Sequence, residues 1–299
     1  MTMPNFLVIG AGKGGTTALH RYLNQHPQIF MSEPKELSFF PFEERPPDFR
    51  GPNDDEDFAR QRVTSLDDYR ACFAGAAGYP ARGESSPVYL YYPESAARIR
   101  RHIPEAKLIA VLRQPAAAAY SRFLMLRRNG VERLSFVEAL AAEDRRVAEG
   151  WAHRWHYIRR GFYAKQLRPY FDLFPREQIR VYLYDEFVGN PVGFVQDIFR
   201  FLNVDDSFVP DMSVRHNESK VPRSRAVQTY LLEPRRAKEL IKRFVPATLS
   251  RRVGDRLRRM NLSRPPLPDK LKRELTEVYR EDILELQRML GRDLSHWLD

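Results

Sequence analysis

Asn5-Phe-Leu-Val-Ile-Gly10-Ala-Gly-Lys13-Gly14-Gly15-Thr16-Thr17-Ala-Leu19 is the stretch on which the fold reading turns. The apolar run Phe6 to Ile9 reads as a short buried strand ending in glycine. Gly10 to Gly15 is a glycine-rich turn, and Thr16 to Asn24 reads as a helix closed by the nearby Pro27. Such a strand–loop–helix unit binds anions. Glycines let the backbone wrap closely around an oxyanion, and successive amides with the helix N-terminus bind its oxygens. Lys13 adds a full charge, and Thr16 and Thr17 add hydroxyl donors. Glycines alone would also fit an ordinary connection; the lysine and paired threonines weigh against that.

The loop is not the one nucleoside triphosphatases use. Gly-x-x-x-x-Gly-Lys-Ser/Thr requires lysine directly after the second glycine, where this chain has Thr16, and its lysine lies three residues earlier. Further along, Lys107 to Leu112 is a second buried strand, followed by a helix from Ala116 to Arg128. Helices are expected over Ser135–Glu149, Arg159–Phe174 and Pro191–Leu202, with a third strand over Gln178–Tyr184. Residues 31–62 read as a long irregular loop, and Ser65 as the cap of a short helix. Alternating strands and helices argue for an α/β fold, a parallel sheet flanked by helices. A helical C-terminal region ends in a helix from Lys270 to Leu290. Arg113, after the second strand, stands where a metal-binding triphosphatase would place an acid. Arg180-Val-Tyr-Leu-Tyr-Asp185-Glu186 favours that class instead, as an apolar strand ending in acid.

The bulk numbers bound the reading. The chain has 299 residues, 43% hydrophobic, and a net charge of +10, which fits a globular protein with anionic partners or simply solvated basic helix faces. Cys72 is the sole cysteine, so an intrachain disulfide and a thiolate zinc site are excluded; a cytoplasmic location is expected. No segment has the length and apolarity of a signal peptide or membrane span. No nucleic-acid-binding motif is visible.

These residues resemble the PAPS-dependent sulfotransferases, nearest to the heparan-sulfate N- and O-sulfotransferase branch and its bacterial relatives. Four stretches carry the resemblance: Lys13-Gly-Gly-Thr-Thr-Ala-Leu19; Pro34-Lys35-Glu36-Leu37-Ser38-Phe39-Phe40; Leu112-Arg113-Gln-Pro115 with Ala119-Tyr120-Ser121; and Gly161-Phe-Tyr163 with Leu167 and the strand ending Tyr184-Asp185-Glu186-Phe187. It implies one sulfotransferase domain over 1–299, with a core over about 5–225 and a C-terminal helical extension over about 226–299. The implied co-substrate is 3′-phosphoadenosine 5′-phosphosulfate (PAPS), with no metal, and the implied acceptor a small molecule or glycan.

The resemblance further implies that Lys13, Gly14, Gly15, Thr16 and Thr17 hold the 5′-phosphosulfate. Lys13 would stand at the bridging oxygen, Glu36 would be the catalytic base, and Arg113 and Ser121 would hold the 3′-phosphate. Tyr163, Lys220 and Arg223 are further expected cofactor contacts. In that family the acids after the third strand do not bind magnesium, which removes the main support for a nucleotide-dependent phosphotransferase. The chain departs from the family's pattern at Ser38, where histidine is frequent, and at Ser85, where animal enzymes carry lysine.

Glu36 needs a raised basicity to act near neutral pH, since an unperturbed glutamate titrates at about 4.3. Partial burial beside Phe39 and Phe40 is expected to supply it, against the opposing charge of Lys35. Without the family likeness Glu36 reads as a surface acid paired with Lys35. His20, His153 and His156 are rival bases, and His153 and His156 with Trp151 and Trp155 form either an acceptor pocket or a packed helix face.

Overall fold

The computed structural model describes residues 2–54, 63–213, 221–222, 262–263 and 265–299. The opening unit forms as read: strand β1 (Phe6–Gly10) enters the glycine turn, and helix α1 (Thr16–Leu23) leaves it. With β2 (Ile29–Met31), β3 (Ala81–Ser85), β4 (Lys107–Leu112) and β5 (Ile179–Leu183), β1 builds a parallel sheet in the order β2-β3-β1-β4-β5. β1 is central, pairing Phe6 with Gly83 on one side and with Lys107 on the other. Alternate residues of β1 face opposite cores, as strand geometry requires. Phe6 and Val8 pack with α1 and with helix α10 (Pro191–Leu202). Leu7 and Ile9 face the larger core beneath the remaining helices. A parallel sheet covered on both faces is the expected α/β architecture.

Two strands of this sheet go beyond the three that the sequence predicts. β2 is only three residues long. β3 is Ala-Arg-Gly-Glu-Ser, with no apolar run to read, yet four of its five residues are buried. Its place depends on Gly83, where a Cβ would lie 2.3 Å from the Phe6 ring. The loop after β2 contains a short helix, α2 (Phe39–Phe42), and α3 (Leu66–Ala71) opens on Ser65, whose hydroxyl accepts from the Asp68 amide as expected. Between β3 and β4 lies α4 (Glu94–His102).

Pro115 and a Gln114 cap on the Ala117 amide start α5 (Pro115–Arg128). The helix expected over 135–149 is two, α6 (Phe136–Ala141) and α7 (Glu143–Ala148). The break lets Glu143 turn inward and accept from the amides of Tyr157, Ile158 and Arg159. The helix expected from Arg159 starts later, as α8 (Tyr163–Leu173), because Asp282 accepts from the Ala164 and Lys165 amides at 3.0 and 3.1 Å. Arg159–Gly161 is a separate 3₁₀ turn. β5 ends at Leu183, one residue short of expectation, where Glu186 caps the Leu183 amide and opens α9 (Tyr184–Gly189). A small antiparallel pair, β6 (Val221–Pro222) with β7 (Leu262–Ser263), lies beside α5. The last helix, α11 (Asp269–Leu290), packs on α8 and α5. Among the described residues no helix is long and apolar enough to cross a membrane.

Candidate active site

The glycine loop lies over the C-terminal ends of β1 and β4, where open α/β sheets place their ligands. Gly14 is required by close approach: a Cβ there would lie 2.0 Å from the Val111 carbonyl oxygen of β4. Gly15 has φ +90, a backbone that favours glycine, and its added Cβ would strike the Phe187 ring. No side chain caps the N-terminus of α1, so its first amides are not claimed by a cap. Thr16 is buried there and Thr17 half-buried.

Lys13, also left-handed at φ 77, sends its ammonium toward α5, 3.5 Å from the Met125 sulfur. Burial pulls its pKa down to about 7; Arg122, Arg128 and Arg113 add to the fall, and Glu36 opposes it. Lys13 therefore lies within electrostatic reach of three arginines and one carboxylate. Arg113 follows β4, its guanidinium 4.7 Å from the Tyr184 ring centroid. Ser121 is buried on α5. Tyr163, at the start of α8, is hydrogen-bonded through its phenol to the Arg113 backbone. Burial pushes its pKa up to about 12, opposed by Arg122, Arg113 and Arg160. Lys13, Arg113 and Tyr163 are thus brought to one place. Lys220 and Arg223 lie outside the described residues; the strand between them, β6, runs beside the helix that carries Ser121.

Glu36 does not sit as expected. Its side chain is 51% exposed rather than packed beside Phe39 and Phe40, whose rings turn into the core. The reason is the backbone: Glu36 and Ser38 are both left-handed, at φ 67 and 55, so the acid swings outward between its buried neighbours. Lys35 donates to its carboxylate. Such strained backbone persists only where its surroundings hold it. Here Glu84, fully buried at the end of β3, does so. Its carboxylate accepts from Tyr69 at 2.8 Å, from Ser86 at 2.6 Å and from Tyr89. The Ser86 hydroxyl accepts in turn from the Ser38 amide and the Tyr89 hydroxyl from the Phe39 amide. Burial, the largest influence, holds the Glu84 carboxyl above the usual range, opposed by these hydroxyls and the Leu37 amide.

The family model for sulfotransferases matches residues 4–208. The chain belongs to the sulfotransferase family. A sulfotransferase structure from Alicyclobacillus acidocaldarius superposes with a TM-score of 0.78 at 34% identity, covering all of both chains. The human bifunctional heparan sulfate N-deacetylase/N-sulfotransferase 3 is 25% identical over 99% of this chain and 31% of its own length. The mouse heparan sulfate glucosamine 3-O-sulfotransferase 5 is 26% identical over 68% of this chain and 54% of its own. This sulfotransferase therefore spans about a third of the first of these two relatives and about half of the second.

The sulfotransferase's other candidates take different roles. His156 has both ring nitrogens engaged, with the Tyr91 hydroxyl at 2.6 Å and the Trp151 carbonyl at 3.2 Å. Burial lowers its pKa to about 4 and lowers that of His153 well below the ordinary value. The Trp151–His156 segment is a packed face: Asp54 accepts from the Ala152 amide and the Trp155 indole and pairs with Arg154. His20 lies near Lys35 and Glu36, its pKa lowered to about 4 by burial first and Lys35 second. Of the Asp185–Glu186 pair, Glu186 is committed to structure, since it caps Leu183 and pairs with Arg292. Sequence reading missed Glu84, Arg122 and Arg160. An acid inside a strand flags the first; nothing in the local sequence separates the two arginines from the other basic residues.

Proposed function

We propose that this chain moves a sulfuryl group from PAPS to a hydroxyl or amine of an acceptor, as a single domain spanning its length. The observations that carry the reading are Lys13 inside a glycine loop at an uncapped helix N-terminus and the left-handed turn that holds Glu36 exposed within electrostatic reach of it. An anion-binding loop with one lysine and one opposed carboxylate is what sulfuryl transfer asks for. The attacking oxygen or nitrogen bonds to sulfur while the bond from sulfur to the phosphate oxygen breaks. Glu36 takes the proton of the attacking group. The departing electron pair stays on the phosphate oxygen, where the Lys13 ammonium offsets the growing charge. The loop amides and α1 position the donor, and Arg113, Ser121 and Tyr163 hold its 3′-phosphate end, where a planar guanidinium suits phosphate. Lys220 and Arg223 complete this donor site in the reading.

The heparan sulfate in the names of the human and mouse relatives supports a saccharide acceptor, on a glycan or glycolipid. The test is a screen of saccharide and small hydroxyl or amine acceptors with labelled PAPS, run with the wild type and with Glu36→Gln. Transfer to at least one acceptor is expected, falling about 10²–10⁴-fold in the variant, with donor affinity unchanged. Full activity in Glu36→Gln, with activity lost on substituting His20, would transfer the base role to the histidine.

A further inference from the structure

Arg122 on α5 and Arg160 in the 3₁₀ turn before α8 are 6% and 8% exposed. Elsewhere the fold pairs its buried arginines: Arg146 makes a two-pronged contact with Glu132 at 2.7 and 3.1 Å, and Arg154 meets Asp54 at 2.7 Å. Arg122 and Arg160 make no such pair among the described residues. The Arg122 Nε is buried without a hydrogen-bond partner, as is that of Arg146, but no carboxylate among the described residues meets the Arg122 fork, and Arg160 lies 5.2 Å from the centroid of the Tyr91 ring. Both forks converge on the phosphate loop. A Cβ on Gly12 would lie 2.8 Å from one Arg160 Nη and 3.2 Å from one Arg122 Nη. The pair thus abuts the loop one residue before Lys13. Arg122 bears on the Lys13 ammonium, and Arg160 is itself favoured by Glu36. Two like charges withdrawn from water and left unpaired are costly, and proteins keep such costs where a ligand compensates them.

We infer that Arg122 and Arg160 form an oxyanion subsite at Gly12 that takes the sulfuryl end of the donor, between Lys13 and Glu36. This rests on the function proposed above. Guanidinium donors from two elements would hold sulfuryl oxygens while Lys13 holds the bridging oxygen, so the subsite reads the sulfate and not the nucleotide.

Arg122→Met and Arg160→Met keep much of the volume and remove the charge. Without ligand each is expected to melt at a higher temperature than the wild type, because an uncompensated buried charge is gone. Calorimetry should then give an affinity for adenosine 3′,5′-bisphosphate within about threefold of wild type, and a loss of tenfold or more for PAPS, as expected of a charged hydrogen bond worth ~1.5–3 kcal/mol. A lower melting temperature with both affinities intact makes the arginines structural and overturns the inference. So does an equal loss for both nucleotides, or a change confined to the acceptor KM, which would mean an acidic group of the acceptor fills the site. A wild type that binds neither nucleotide refutes the functional reading, a result recognisable without any variant. If a methionine variant does not fold by circular dichroism, Arg122→Lys and Arg160→Lys, which lose the fork and keep the charge, enter the same comparison of affinities.

Discussion

At the scale of single residues, Lys13, proposed to act at the bridging oxygen, also bears on proton balance. Its ordinary pKa of 10.5 falls to about 7 in the folded chain. Between these values the unfolded chain binds a proton that the folded chain lacks, so Lys13 makes stability rise with pH across that window. Below pH 7 both states are protonated and the cost of burying the charge is fully present. An anionic donor reverses this by favouring the charged form. Binding adenosine 3′,5′-bisphosphate at pH 8 is therefore expected to take up close to one proton, measured by calorimetry in buffers of different ionisation enthalpy. Lys13→Met should bind without that uptake. Apparent enthalpies that do not vary with buffer in the wild type would disprove the linkage.

At the scale of elements, β3 does more than extend the sheet. It delivers Glu84 under the 36–39 turn, and the Ser86 and Tyr89 hydroxyls relay its hold to the Ser38 and Phe39 amides. Two left-handed residues at 36 and 38 make this turn the element most dependent on outside support. Glu84→Gln exchanges an acceptor-only group for an amide with two hydrogens pointed at hydroxyl donors. The expected cost is about 1–3 kcal/mol in chemical denaturation. Turnover should fall while the donor KM changes little, since the phosphate loop lies on β1. An equal loss in both parameters would mean that the network supports the sheet rather than the turn.

At the scale of the whole molecule, the C-terminal segment braces the residues proposed to hold the donor. α11 supplies Asp282 to the start of α8 and Thr276 to Gln114, the residue after Arg113. The Trp297 carbonyl accepts from the same Gln114 amide, and its buried indole meets the Tyr163 ring at 6.3 Å. The described part of this segment thus braces Arg113 and Tyr163. Trp297→Ala is expected to cost about 3–5 kcal/mol of stability and to raise the donor KM more than it lowers kcat. If only the acceptor KM responds, the segment belongs to the acceptor side after all.

What the sequence by itself determined is the part written in contiguous residues. A short apolar run, a glycine turn and a helix start are local patterns, so β1, the glycine loop, α1 and the α/β class were legible, as were strand β5 to within a residue and the cap at Ser65. Helix limits at 142 and 163 were not, because Glu143 and Asp282 set them by reaching across the fold. β3 was hidden because its burial comes from Phe6 and its helix neighbours, not from its own composition. The exposure of Glu36, and the burial of Arg122 and Arg160 without a carboxylate partner among the described residues, were decided only by tertiary structure. Whether a charge meets water, a partner or another charge depends on elements far apart in the chain, and local sequence carries no record of that meeting.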